Sequence, residues 1–270
     1  MPTGALLVSI FFAAYSGVAE NISPSEIVRR ASANELRPES SRHPVRFRLA
    51  KVSRKGSTVK DVIETTDGDI ALLLERDGKP LPPLEERAEI DRLTNLLAHP
   101  ETQQSRSRKD QQDTDRKNEL LRMLPEAFLY TSAGMVQGTG GTCYRLTFKP
   151  NPAFTPPDRD AQVFEGMEGE LWIDQAQLRL VKMDAHLISD VNFGWGVIGR
   201  LYKGGTLSIE NADIGDHHWE TMQLKLHLKG KILMTKNVEF FTTEEATDFR
   251  VVPPQTGYLD AIQMLLKDTR

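Results

Sequence analysis

Apolar and polar residues alternate along several stretches of this chain, and this period of two predicts strands that bury one face and leave the other in water. The clearest stretch covers residues 222–229, in which single polar residues separate Met222, Leu224, Leu226 and Leu228. Two further stretches repeat the pattern, one with Val45, Phe47 and Leu49 and one with Tyr144, Leu146 and Phe148. Asp-Gly and Lys-Gly turns between the strands predict antiparallel hairpins.

Helical periodicity interrupts the strands. Ser23 can cap a first helix, with Glu26 completing a capping box. Residues 84–97 and 258–266 place leucines and isoleucines three or four positions apart, which predicts helices that pack by one face. Residues 101–119 contain no apolar residue, so they cannot bury surface to offset their ordering entropy. We expect this segment to be a flexible crossing or a solvated extension of a helix.

Together these elements predict an α+β fold that is mainly antiparallel: a curved open sheet of about nine or ten strands, or half-barrel, with helices covering one face. We expect a signal peptide at residues 1–19 and a half-barrel domain at 20–252. That domain has a charged insertion at about 99–119, and a C-terminal tail or helix follows at 253–270. A curved sheet with few covering helices leaves a concavity that suits an apolar ligand.

The signal peptide is predicted from an uncharged apolar run at residues 5–19, directly before Glu20. The run is shorter than the roughly 20 apolar residues of a transmembrane helix but matches the apolar core of an export signal. Gly17 and Ala19 supply the small residues of a cleavage site after Ala19. We therefore expect a periplasmic or secreted protein; a retained anchor or a buried N-terminal helix is the alternative.

Composition narrows the classes of partner. The 270-residue chain has a formal net charge of −4, whereas nucleic-acid binding favours a strongly basic domain, so we expect no nucleic-acid partner. Cys143 is the only cysteine, which excludes an intramolecular disulfide and a zinc site with several thiolates. The alternation around Cys143 predicts a structural cysteine. His217 and His218 are adjacent and would point to opposite faces of a strand, so no metal or cofactor is expected.

Carboxylates offer one enzymatic hypothesis. Glu168 and Glu170 would share one face of a strand, and two carboxylates at a suitable distance can carry out acid–base chemistry. No nucleophile or base is identifiable beside them, and the sequence has neither a G-x-S-x-G motif nor a P-loop. The prediction is a non-enzymatic protein, and a hydrolase using Glu168, Glu170 or His186 is the remaining enzymatic alternative.

Gly194, Gly196 and Gly199 match the G-x-G-x-x-G pattern of dinucleotide-binding proteins. That pattern requires a helix to open at the glycines, whereas two further glycines and then strand-like alternation follow Gly199. We interpret the match as accidental. The segment instead predicts an apolar loop, either folded onto the core or exposed as the lip of a ligand cavity or as a membrane contact. Its apolar residues are Phe193, Trp195, Val197, Ile198 and Leu201.

The order of elements and the segment "GELWIDQAQLRLVKMDAHL" at Gly169–Leu187 resemble the LolA/LolB-like superfamily. In that superfamily a strand ending in a W-I-D-like corner is commonly followed by a strand with a leucine and a lysine at this spacing. The resemblance implies a periplasmic half-barrel, closed by helices, that carries lipids or lipoprotein acyl chains. The chain is also similar to uncharacterised exported bacterial proteins that contain "DGKPL", "LLAHPE" and "DFRVV" in this order, which implies no activity.

These observations predict a protein that binds an acyl chain, a lipid or a lipoprotein in the hollow of the half-barrel, with peripheral membrane contact as a further option. The alternative is a cell-envelope sensor or interaction module without a lipid ligand, whose residues 101–119 contact a protein partner. Helices that fill the concavity as an ordinary core would leave no such site. The side chains expected to line the hollow are Phe47, Leu49, Tyr144, Leu146, Phe148, Leu224, Leu226 and Phe240.

Overall fold

The computed structural model describes residues 22–37, 43–193, 199–233 and 235–268. The expected signal peptide at residues 1–19 lies outside these ranges. Within them, thirteen strands join in a single antiparallel sheet. The strands are β1 (Val45–Ser53), β2 (Gly56–Ile63), β3 (Ile70–Arg76), β4 (Lys79–Pro80), β5 (Phe128–Gln137), β6 (Thr142–Pro150), β7 (Met167–Asp174), β8 (Leu180–Leu187), β9 (Val191–Phe193), β10 (Gly199–Leu201), β11 (Thr206–Asp213), β12 (Trp219–Ile232) and β13 (Lys236–Val251).

Helices accompany the sheet at both ends of the chain and in its first half. They are α1 (Pro24–Glu35), α2 (Pro83–Ala98), α3 (Pro100–Ala127), a 3-10 helix (Asp160–Gly166) and α4 (Tyr258–Lys267). α1 begins as its sequence predicts, because the Ser23 hydroxyl accepts a hydrogen bond from the backbone N–H of Glu26 at 3.2 Å. Among the described helices, none combines the length and the apolar character needed to cross a membrane.

The sheet is curved and open, which confirms the predicted α+β half-barrel. Its strands follow the order β4-β3-β2-β1-β13-β12-β11-β8-β7-β6-β5, and β10 pairs with β12 and β9 beside this path. The end strands β4 and β5 do not pair with each other in the described structure, so the sheet does not close. The number of strands exceeds the prediction because β4, β9 and β10 contain only two or three residues each.

The larger buried core lies between β5–β8 and the two helices α1 and α3. α1 buries Ile27 and Val28 in it. Phe128 sits at the centre of an aromatic group, with its ring 4.7 Å from that of Phe148 and 5.2 Å from that of Phe164. Large side chains of this kind contribute roughly 1.5–3 kcal/mol each when fully buried. This packing, more than helix propensity, holds α1 on the sheet.

A second core lies at the other end of the strand path. Leu72 of β3 packs with Leu93 of α2 and with Leu265 of α4. The strand registers place Leu72 on the face of the sheet opposite to the one that α1 covers. The sequence predicts helices over one face; α1 lies there, and α2 and α4 add a second cover on the reverse face.

α3 connects the two cores. Near its start, the buried side chain of Gln103 donates a hydrogen bond to the backbone oxygen of Asp67, in the β2–β3 turn, at 2.8 Å. At its end, Leu124 and Ala127 are buried in the larger core. A helix of 28 residues is about 42 Å long. Residues 101–119 therefore form a solvated helix held at both ends, which is one of the two forms that the sequence predicts.

Candidate functional site

A continuous apolar surface covers one face of β8, β11 and β12. Residues directly opposite each other in an antiparallel pair point to the same face. Ile209 lies opposite both Met183 and Leu224, and Leu207 lies opposite Leu226. Met183 belongs to the core under α1, so this surface continues that core across the middle of the sheet. We call it the inner face.

The inner face extends onto β13 and β1. Leu224 lies opposite Glu244, and Leu49 lies opposite Ala246. The helices pack chiefly against β3, β5, β7 and β8. Along the strand path, the central strands β1, β13, β12 and β11 therefore lie between two helical covers, one formed by α2 and α4 and the other by α1 and α3. Leu49, Leu224 and Leu226 are half-buried there. This central part of the inner face is the candidate surface for an apolar ligand.

The eight side chains predicted to line the hollow fall into two groups. Leu146 and Phe148 are only 1% and 3% exposed, and they pack with the half-buried Tyr144 in the core under α1. The other five belong to the central strands and are half-buried or exposed: Phe47, Leu49, Leu224, Leu226 and Phe240. Ligand contact by any of the eight stays a prediction, and the second group is better placed for it.

Polar side chains also lie on the inner face, and the alternation of leucines does not single out Lys51, Thr242 and Glu244. Lys51 Nζ and Glu244 Oε1 form an ion pair at 2.6 Å. Thr242 lies opposite Leu226, and its buried hydroxyl oxygen has no hydrogen-bond partner among the described residues. A buried hydroxyl without a hydrogen-bond partner is unfavourable. Only the pairing of β13 with β12 and β1 reveals these groups.

A cavity of about 310 Å³, lined mainly by apolar side chains, lies beside the β12–β13 hairpin at the end of the inner face. Phe240 lines it and lies opposite Leu228, which packs against the core under α1. Phe193 and Leu201 of the predicted apolar loop also line this cavity. The other predicted members of that loop lie outside the described residues: Trp195, Val197 and Ile198.

Glu168 and Glu170 lie on the outer face of β7, away from the inner face. Glu168 Oε1 is 3.2 Å from His186 Nε2, and Arg145 donates a hydrogen bond to Glu170 at 2.8 Å. The hydrogen bond from Arg145 lowers the pKa of Glu170 below its usual range. A carboxyl group held ionised in this way is unsuited to act as a general acid at neutral pH.

The contacts of His217, His218 and Cys143 fit a structural role and not a metal site or a nucleophile. His217 is exposed, whereas the Nε2 atom of the buried His218 lies 2.7 Å from Glu220 Oε1. Across the described residues, no group of three or more His, Cys, Asp or Glu side chains is placed to hold a metal ion. Cys143 is buried against Trp219, and this burial raises the pKa of its thiol, which disfavours the nucleophilic thiolate.

Gly199, the last glycine of the G-x-G-x-x-G match, opens strand β10. It lies opposite Phe193 on β9 and Ile232 on β12. The next regular element is another strand, β11, whereas a dinucleotide-binding glycine pattern opens a helix. Gly194 and Gly196 lie outside the described residues. At Gly199 the structure therefore lacks the element that this pattern needs to bind a nucleotide.

No protein-family model and no curated protein sequence matches this chain. Solved structures align with it at low identity. A LolA superfamily protein from Nitrosomonas europaea aligns over 86% of this chain and 94% of its own, with 9% identity and a TM-score of 0.28. A putative outer membrane lipoprotein-sorting protein domain from Vibrio parahaemolyticus aligns over 90% and 98%, with 11% identity and a TM-score of 0.30. MucB, solved in complex with MucA(peri), aligns over 86% and 100%, with 10% identity and a TM-score of 0.25.

The strand order and the open sheet, rather than these low-scoring alignments, define the fold of this chain. The segment Gly169–Leu187, which carries the sequence resemblance, forms β7, the following turn and β8. In its overall organisation, a curved antiparallel sheet with helices packed on it, the chain is similar to proteins of the LolA superfamily.

Proposed function

We propose that this protein is an exported, non-enzymatic carrier that holds an acyl chain of a lipid or lipoprotein against its inner face. One observation carries the proposal: the apolar side chains of β11 and β12 stand in register, Leu207 with Leu226 and Ile209 with Leu224. They lie on strands between the two helical covers. A half-buried apolar surface of this kind gains stability when an acyl chain displaces water from it.

Burial alone supplies useful affinity. Each CH₂ group removed from water contributes about 0.8 kcal/mol, so roughly ten of them contribute about 8 kcal/mol before the cost of ordering the chain. A binding free energy of about 8 kcal/mol corresponds to a dissociation constant of about 1 μM. Because apolar burial is not directional, the same surface suits acyl chains of different lengths.

The polar groups of the inner face suit the ester or amide group of such a ligand. The Thr242 hydroxyl lies beside Leu226, on the strand next to it. The Lys51–Glu244 ion pair follows two residues further along β13. The ammonium of Lys51, whose side chain is 44% exposed, can donate to a carbonyl oxygen and leave the acyl chain along the leucines. The carbonyl would then set the position of the chain on the sheet.

Export and the absence of catalysis belong to the same proposal. The apolar run at residues 5–19 supports an export signal. The carboxylates that an acid–base hydrolase would use, Glu168 and Glu170, point to the outer face and pair with His186 and Arg145. A ligand on the inner face would not reach them, and catalysis needs a positioned group beside the reacting atom.

Native mass spectrometry of the protein purified from the periplasm, with lipid extraction of the same sample, tests the proposal. We expect a discrete added mass of lipid size on the wild type. Leu226→Glu places a charge on the inner face and should abolish the added mass. Lys225→Glu is the matched control, because it introduces the same side chain at the neighbouring position on the outer face. It should keep the ligand.

A clean mass for the wild-type protein, with no fatty-acid probe bound on titration, would show that the inner face does not hold acyl chains. Equal loss of ligand in Leu226→Glu and Lys225→Glu would place the lipid elsewhere. Circular dichroism on both variants separates loss of ligand from loss of fold.

A protein-interaction role of α3 is the second candidate function. Residues 104–117 are exposed over most of their length and carry both signs of charge on a helix anchored at its two ends. Such a surface suits a polar protein partner. Arg108→Glu combined with Lys109→Glu should then abolish cross-linking to an envelope protein without changing bound lipid, and Lys149→Glu on β6 is the control. A wild-type chain without cross-linked partners would remove this candidate.

A further inference from the structure

The hairpin formed by β12 and β13 projects beyond β11 on one side and β1 on the other. β11 pairs with β12 only as far as His227, and β1 pairs with β13 only from Thr242 onward. Past these points the described ladder contains the two hairpin strands, with the three-residue β10 beside β12. The six residues Lys236–Phe241 on β13 extend about 20 Å at about 3.3 Å per residue. We call residues 228–241 the projecting hairpin.

The projecting hairpin exposes large apolar side chains at its turn and, at its base, one on each face. Phe240 and Phe241 are consecutive strand residues, so their side chains point in opposite directions. They are 47% and 40% exposed, and Leu233 in the turn is 67% exposed. A hairpin that only lined the inner face would need apolar residues on one side. Leu233 and the adjoining Ile232, which is 38% exposed, form an apolar end at the turn, and such an end indicates an interaction surface.

Basic side chains lie around this apolar end of the hairpin. Four exposed basic residues lie on the hairpin and the adjoining β10: Lys229, Lys231, Lys236 and Arg200. Glu239 is the only acid in the sequence of residues 228–241, and it is engaged by His227 at 2.9 Å and by Arg54, from the β1–β2 turn, at 3.6 Å. The whole chain has a net charge of −4, so this end reverses the overall sign.

We propose that the projecting hairpin docks on an anionic lipid bilayer. Ile232 and Leu233, at the turn, enter the interfacial region, while Lys231 and Lys236 contact phosphate groups of the lipids. An apolar end with basic residues behind it matches a bilayer, in which anionic headgroups lie above an apolar interior.

Docking in this orientation brings the inner face to the membrane. Phe240 and Ile232 of the projecting hairpin also line the cavity at the end of the inner face. Vesicle binding does not require a ligand on the inner face, so the docking proposal and the carrier proposal fail or succeed independently. Leu233→Asn, at the hairpin turn, leaves the inner-face leucines unchanged.

Vesicle flotation tests the docking proposal. The protein from Glu20 to Arg270, which contains every described residue, is mixed with vesicles of phosphatidylethanolamine and phosphatidylglycerol or with vesicles of phosphatidylcholine alone. We expect binding to the anionic vesicles, weaker binding to the neutral ones, and release at raised salt because salt screens the lysines.

Two variants with matched controls locate the contact. Leu233 has a positive φ of 50°, a conformation that asparagine tolerates well, so Leu233→Asn removes the apolar side chain without strain. It should weaken binding about tenfold, whereas Leu84→Asn, at another exposed leucine, should not. Lys231→Gln combined with Lys236→Gln should weaken binding to anionic vesicles by about tenfold or more. Lys109→Gln combined with Lys117→Gln removes the same charge from α3 and should leave binding unchanged.

Wild-type protein that stays folded but does not float with anionic vesicles would overturn the proposal. So would equal binding by the hairpin variants and their controls, which would place the contact elsewhere on the molecule. Binding that Leu233→Asn abolishes but salt and the lysine variant leave unchanged would show an apolar contact without selection for anionic lipid, and would overturn the anionic part of the proposal.

Discussion

Glu35, the last residue of α1, accepts a hydrogen bond at 2.9 Å from the side chain of Arg179, which lies in the turn between β7 and β8. The same carboxylate accepts the backbone N–H of Leu180 at 3.0 Å. Both charged side chains of the pair are largely buried, at 18% and 14% exposure. This pair fixes the end of α1 to the sheet at the corner where the sequence resembles the LolA/LolB-like superfamily.

Glu35→Ala should lower the free energy of unfolding by about 2–3 kcal/mol, because it removes the hydrogen bonds that this carboxylate accepts from Arg179 and from the backbone of Leu180. Urea denaturation followed by circular dichroism measures the change. Glu26→Ala is the control on the same helix: Glu26 pairs with Arg29 and Arg30 at the surface, and such pairs contribute little. Equal effects of the two substitutions would show that the Glu35–Arg179 pair does not anchor α1.

Gly169→Ala should destabilise the protein by about 3 kcal/mol or more, through overpacking between β7 and β8. A Cβ atom at Gly169 would lie 2.0 Å from the backbone oxygen of Asp184 and 2.8 Å from the Cα of Ala185, so two strands would have to separate. Gly140→Ala, in the β5–β6 turn, meets no atom within 4 Å and should be nearly neutral. A neutral Gly169→Ala in urea denaturation would contradict the close approach of the two strands.

The stability contributed by Glu170 should depend on pH. Its folded-state pKa lies below the ordinary value of 4.5, chiefly because Arg145 donates a hydrogen bond to it. The ionised group therefore stabilises the fold above its unfolded pKa, and this contribution is lost as the pH falls through the lower, folded pKa. Glu170→Gln should be less stable than the wild type at about pH 7, and the difference should shrink as the pH falls below 4.5 and through the folded-state pKa.

Urea denaturation across this range measures the difference. Arg145→Gln supplies the control: once this donor is removed, the further substitution Glu170→Gln should cost less stability at neutral pH than it does in the wild type. A difference that persists unchanged at low pH would show that Glu170 acts by packing and not by its charge.

Two leucine truncations should distinguish core from binding surface. Leu146 is 1% exposed in the core, so Leu146→Ala should cost about 2–5 kcal/mol. Leu224 is half-buried on the inner face, and Leu224→Ala should cost about 1 kcal/mol while weakening retention of bound lipid. Urea denaturation and native mass spectrometry on both variants provide the two readouts. A larger stability loss for Leu224→Ala would show that the inner face is an ordinary core.

The sequence alone predicts the strands well where one face is apolar, because alternation is a local property. Leu146 and Leu224 show what alternation cannot predict, namely how deeply each apolar side chain is buried. Both sit in strict alternation, yet one is buried under α1 and the other lies between the helical covers. The difference depends on which strands the distant helices reach, and no local pattern contains that information. The same holds for Thr242, which only the pairing with β12 places beside Leu226.

Residues 101–119 show a second limit. Without apolar residues they give no periodic signal, so the sequence leaves a flexible segment and a helix as equal possibilities. The structure forms the helix because its two ends are held, at Gln103 by the turn at Asp67 and at Leu124 by the larger core. Hydrogen bonds between neighbouring side chains, such as Gln111 to Asp115 at 2.8 Å, then add to the solvated middle.

The two ends of the strand path are poor templates for a strand from another molecule. At one end β4 has two residues, and Pro80 has no N–H to donate. At the other, β5 carries a bulge between Ser132 and Met135, where Gly134 has a φ of +93°. The edges of an open sheet invite aggregation, and these interruptions disfavour the addition of a strand from another molecule.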